Sequence, residues 1–113
     1  MKTIPASDIK TYNPGGTSWQ AVITSNTTAV AGRGYFANTT RSAFTLTLPA
    51  SPTIGDEVSF IDYAGTFDTY NLTIARNSEK IHGATEDLTV SVERAANTLV
   101  YTDSTQGWLL KNK

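Results

Sequence analysis

Phe44-Thr-Leu-Thr-Leu-Pro-Ala-Ser-Pro-Thr-Ile-Gly-Asp-Glu-Val-Ser-Phe-Ile-Asp-Tyr63 is the stretch whose reading decides the fold. Phe44, Leu46 and Leu48 alternate with Thr45 and Thr47, the period of two that marks a strand with one buried face. Pro49 and Pro52 end it, because a ring nitrogen has no proton to give a sheet ladder. Gly55-Asp56 supplies turn chemistry, and Val58, Phe60 and Ile61 begin the next strand. Asp62 follows Val58 and Phe60 on their own face. If that face is buried, the carboxylate must be hydrogen-bonded, and it becomes a structural anchor.

Working outward, the same pattern recurs at intervals near ten residues. Trp19, Ala21 and Ile23 alternate with Gln20 and Val22. Ala29-Val30 opens a short strand that Gly32-Arg33-Gly34 breaks, and Tyr35 to Thr39 resumes as a strand of aromatic and β-branched residues. Beyond the central unit come Leu72-Ile74, Leu88-Val90-Val92, Leu99-Val100-Tyr101 and Trp108-Leu109-Leu110, each bounded by polar turn residues. Val92 to Asn97 is the one segment with helical promise, and it is too short to hold without packing, so it reads as a turn. The pattern predicts an all-β domain over 18–113, a single antiparallel β-sandwich or barrel of jelly-roll type. Residues 1–17, with Pro5, Pro14, Gly15 and Gly16 and few apolar side chains, read as an extended N-terminal arm. Ile4, Pro5, Ile9 and Tyr12 are its candidate docking residues.

The totals restrict function. A chain of 113 residues is one domain with room for a core, and a hydrophobic share of 39% makes that core thin. A net charge of −1 with 17% charged residues gives no basic patch for nucleic acid or an anionic membrane. Met1-Lys2-Thr3 begins like a signal peptide, but Pro5, Ser7 and Asp8 occupy the place of its apolar region, and no stretch reaches the length of a membrane span. The expectation is a protein made in a cytoplasm. With no cysteine, disulfides and thiolate metal sites are excluded.

Candidate chemistry is sparse. His82 is the single histidine, which rules out His-rich zinc centres and leaves a Ser-His-Asp triad with no nucleophile elbow to carry it. Asp56 and Glu57 are adjacent and point to opposite faces of a strand, unlike the facing carboxylates of a glycosidase. Asp62, Asp68 and Asn71 are too few for a calcium loop. Gly32-x-Gly34-x-x-Ala37 has the letters of a dinucleotide fingerprint, yet strand formers follow it where that loop needs a helix N-terminus. The sequons at Asn26, Asn38 and Asn71 are what a chain rich in Thr and Asn produces by chance. No catalytic residue, cofactor or metal is expected. Among the aromatics, Trp19, Tyr35, Tyr101 and Trp108 lie in strands and read as core. Tyr63, Phe67 and Tyr70 gather on one loop, a candidate contact site for a glycan or a neighbouring subunit.

Residues 29–110 resemble a module of structural proteins from tailed-bacteriophage virions, many of them marine phages. The likeness is carried by Ala31-Gly32-Arg33-Gly34-Tyr35, Thr45-Leu46-Thr47-Leu48-Pro49-Ala50-Ser51-Pro52, Gly55-Asp56-Glu57-Val58-Ser59-Phe60 and Asp62-Tyr63-Ala64-Gly65. It continues through Asn71-Leu72-Thr73-Ile74-Ala75-Arg76-Asn77, Lys80-Ile81-His82-Gly83, Leu99-Val100-Tyr101 and Gly107-Trp108. The resemblance implies a non-enzymatic virion protein that forms a homo-oligomer, a trimer among the options, and binds other virion proteins of capsid or tail. Because only a module and an arm are present, with no shaft, it favours a capsid decoration subunit over a receptor-binding fibre. The alternative it leaves is a tail or tail-fibre module that recognises a host glycan.

Overall fold

A computed structural model describes residues 16–111, and these fold entirely as strands and turns. The strands are β1 (Ser18–Trp19), β2 (Thr27–Thr28), β3 (Arg33–Ala37), β4 (Phe44–Thr47), β5 (Glu57–Asp62), β6 (Leu72–Ala75), β7 (Leu88–Val90), β8 (Ala96–Tyr101) and β9 (Trp108–Leu110). They form two mixed sheets, one in the order β1-β3-β5-β8-β9 and the other β2-β4-β6-β7. Up to β6 the chain crosses from one sheet to the other at every step. It thus coils, laying β1, β3 and β5 side by side in parallel and β2, β4 and β6 likewise. Three antiparallel pairings then close the far end: β6 with β7, β5 with β8, and β8 with β9.

This corrects the expectation of an antiparallel array. Strand faces are written in the alternation of side chains, but partners are set by connections, and 48–56 and 63–71 are too long for tight hairpins. Phe44–Leu48 and Val58–Asp62 are both strands, but the corner between them carries the chain from one sheet to the other and does not pair them. The sheets stay separate among the described residues, so the barrel expectation is not met. The corner itself is tied down. Asp56 accepts from the Thr53 amide at 2.9 Å, Gly55 N donates to Tyr101 O at 2.9 Å, and Tyr101 N donates to Asp56 O at 2.8 Å. The arm residues Ile4, Pro5, Ile9 and Tyr12 lie outside the described residues.

One hydrophobic core draws on both sheets, with Tyr35, Val58, Phe60, Leu99 and Trp108 from the first and Phe44, Leu46, Leu72, Ile74 and Val90 from the second. Phe60, Leu46, Leu72, Ile74 and Leu99 have no exposed surface, and each such side chain contributes roughly 1.5–3 kcal/mol of burial. Trp108 meets Tyr101 edge to face at 5.5 Å.

The outer faces differ in character. On the four-stranded sheet, Thr45 pairs with Thr73, and Thr73 with Thr89, a hydroxyl ladder that water can cover. On the five-stranded sheet, Phe36, Ile61, Val100 and Leu109 face outward, all partly exposed.

Trp19 joins that outer face and corrects another expectation. It is not core but 42% exposed. Its indole stacks on Phe36 at a centroid distance of 4.9 Å and leans over Gly34, where a Cβ would come within 2.5 Å of the ring. Gly34 therefore does not break the strand; it makes room for Trp19. Gly107, at φ 74°, sits so close to Lys80 that a Cβ would be driven into the Lys80 carbonyl. That contact lets Trp108 N donate to Lys80 O at 2.7 Å.

Candidate functional site

Asp62 ends β5 with its side chain turned inward, because it keeps step with Val58 and Phe60. It has no exposed surface. Its Oδ1 accepts from the amides of Gly65 at 2.9 Å and Thr66 at 3.1 Å. Its Oδ2 accepts from Phe67 N at 3.1 Å and Arg94 N at 2.9 Å. Burial alone raises the carboxyl's pKa, but the four amides together outweigh it and hold the group below the ordinary aspartate value of 3.8. Each oxygen has two lone-pair directions, and both are taken. This carboxylate is spent on the backbone and has nothing left for a substrate proton or a metal.

The result is a hub that fixes a loop. Arg94, at φ 62° in the turn before β8, donates from its guanidinium to Tyr63 O at 2.9 Å. Tyr63 N donates to Ala37 O at 3.0 Å, and Thr66 Oγ1 lies 2.7 Å from Thr39 Oγ1, itself fully buried. Tyr70 N returns to Thr66 O at 2.8 Å. The loop after β5 is thus held at its start, middle and end.

The three loop aromatics separate. Phe67 is fully buried and packs on Phe60 at 6.4 Å. It is a core residue and is not available to a partner, because the Asp62 bond to its amide draws it inward. Tyr63 and Tyr70 remain exposed, at 51% and 41%. Fixed backbone and projecting rings suit a contact surface, since little side-chain order must be gained on binding.

The other candidates are placed elsewhere. Glu57 lies 3.8 Å from Lys111 at the end of β9, an exposed ion pair of little energetic weight. Asp68 is exposed in the loop, away from the Asp62 hub's bonds. His82 Nε2 accepts from Leu110 N at 3.3 Å, and His82 N donates to Trp108 O at 2.9 Å. The lone histidine therefore covers the outer edge of β9. Among the described residues, no three His, Cys, Asp or Glu side chains converge as a metal site, and no helix is long and apolar enough to cross a membrane.

Sequence reasoning missed Arg94, whose role depends on a left-handed turn that no alternation reveals. It also missed the exposure of Trp19. The signal for that was Gly34, a glycine inside a strand that marks close approach. Neither the models of known protein families nor the curated proteins contain a match to this chain.

Proposed function

We propose that the chain is a non-enzymatic surface subunit of a bacteriophage virion, a capsid decoration protein that binds neighbouring virion proteins as a homo-oligomer. The supporting observation is the open first coil. Among the described residues, β1 and β2 are the outer strands of their sheets, and Val22 and Val30 beside them are exposed. Unpaired strand edges with apolar neighbours are sites where another chain adds on. The opposite end has antiparallel strands, and His82 staples the edge of β9, so the two ends of the five-stranded sheet are unlike. In this reading the two sheets pack as a sandwich, with residues 1–17 as the docking arm leading directly into the open edge. Surface buried between capsid neighbours stabilises the shell by mass action, and several weak contacts per oligomer multiply.

The spent carboxylate at Asp62 and the resemblance of residues 29–110 to virion modules support the same reading. A chain lacking residues 1–15 tests it. It is expected to keep its circular dichroism and melting transition but to fail to bind particles that lack the protein. Binding equal to that of the intact chain refutes the arm. Antibody labelling of whole particles in the electron microscope is expected to decorate the head.

A second reading, host recognition from a tail or fibre, is supported by Tyr63 and Tyr70 standing exposed on a fixed loop. Label at the tail, with host binding lost in Tyr63→Ala and Tyr70→Ala, favours it.

A further inference from the structure

The outer face of the five-stranded sheet carries a shallow groove of about 190 Å³ that the assembly reading does not use. Its lining includes Thr17, Trp19, Ser59, Ile61, Ala96 and Thr98, with no charged side chain. Trp19 stacks on Phe36 and leans over Gly34, and it stays 42% exposed. Ser59, which is buried, and Thr98, half-buried on the neighbouring strand, share a hydrogen bond of 2.8 Å between their hydroxyls, so Thr98 is the one a ligand can reach. A hydroxyl carries one proton and two lone pairs, so Thr98 keeps a lone pair to accept with, and its proton as well when Ser59 is the donor.

An exposed, braced indole beside a reachable hydroxyl, in a groove with no charge, matches one ligand chemistry in particular. A neutral sugar offers C–H faces to an aromatic ring and hydroxyls that both give and accept. Charged ligands find no counter-ion here. A protein partner finds too little area. Five strands about 4.8 Å apart, two to six residues long, give a face of roughly 350 Å², against about 800 Å² per side in a stable protein interface. We infer that this face is a binding site for a neutral saccharide, with Trp19 as its platform and Thr98, backed by the buried Ser59, as its polar contact. The site lies on the sheet and not on the Tyr63–Tyr70 loop, and it rests on glycan recognition alone, whatever the protein's place on a particle.

Tryptophan emission reads the site directly, because Trp19 is exposed and Trp108 is fully buried. The intact chain is first screened on an array of neutral oligosaccharides that includes cellotriose, chitotriose and mannotriose, and each saccharide that binds is titrated. At least one is expected to change the Trp19 emission saturably and to protect it from acrylamide, with Trp108 unaffected. Trp19→Ala should weaken binding at least tenfold. Because that change also disturbs β1, Ala96→Arg provides a second variant, filling the groove from an exposed position on β8. It should abolish binding with the melting transition unchanged, while Tyr63→Ala and Tyr70→Ala bind as the parent does. No binding on the array overturns the inference, as does binding that survives Ala96→Arg. A Trp19 already shielded from acrylamide because chains associate through this face also overturns it, and makes the face a contact between copies. None of these results bears on particle docking by residues 1–15, which is measured separately.

Discussion

Replacing Asp62 with asparagine keeps the shape of the side chain and inverts half of its chemistry. The retained carbonyl still accepts from two amides, but the new NH₂ group points its protons at two others. Two of the four amides, of which Phe67 N is buried and the others partly so, lose their acceptor, and the remaining pair loses its charge assistance. With a buried orphan costing about 1–3 kcal/mol, the loss for Asp62→Asn is roughly 2–6 kcal/mol. That is a large part of the 5–15 kcal/mol typical of whole domains. The midpoint of urea unfolding should fall with no change in slope. Native-state hydrogen exchange should accelerate first at Gly65, Thr66, Phe67 and Arg94, whose amides the carboxylate holds.

The pH dependence gives an independent check. The folded carboxyl has its pKa below 3.8, so on acidification the unfolded chain takes up the proton first. The stabilisation is present in full above that ordinary value and is lost as pH falls through the folded one. The gap between the parent and Asp62→Asn should be widest at neutral pH and close in acid. A variant as stable as the parent at pH 7, or a gap that stays constant down to pH 2, refutes the hub.

Phe67→Ala should cost about 3–5 kcal/mol in urea unfolding, the usual range for emptying a buried aromatic site, whereas Tyr63→Ala and Tyr70→Ala should stay within about 0.5 kcal/mol. Equal losses for all three would put Phe67 back on the surface. Gly107→Ala places a Cβ on a left-handed residue and against the Lys80 carbonyl, and should cost at least about 2 kcal/mol, read as a lowered melting temperature. Burial raises the Tyr101 hydroxyl above its ordinary value of 10.0, helped by its bond to Glu79 at 2.9 Å and that carboxylate's charge, with Asp103 adding to it. A raised folded value means stability present below pH 10 and lost as pH rises beyond it, so alkaline melts should show a decline that Glu79→Gln reduces. Ultraviolet titration of the tyrosines checks the same shift.

The inward face of each long strand was legible from alternation alone. Phe44, Leu46, Val58, Phe60, Leu72, Ile74 and Leu99 all lie where a period of two puts them. Asp62 was legible for the same reason: keeping step with Val58 and Phe60 made it either buried and satisfied or impossible. Which strand lies beside which was not legible, because pairing depends on where long connections lead, and nothing in 48–56 or 63–71 encodes a direction. Phe67 failed for a related reason. A loop has no period, so its inward and outward residues are sorted by hydrogen bonds such as the one from Phe67 N to Asp62. Trp19 misled because alternation assigns a face but not which face is covered.

The coiling of the chain between two sheets also fixes the order in which it can fold. Ser18 must find Arg33, Phe44 must find Leu72, and Glu57 must find Val100. Closing such distant loops costs entropy before any bond repays it, and proteins built this way fold in milliseconds to seconds, not microseconds. On the ribosome β5 meets β3 early, but its other edge stays open until β8 emerges. The half-made coil is then a sheet with free edges. Self-closure therefore competes with pairing between copies until the last third of the chain is made.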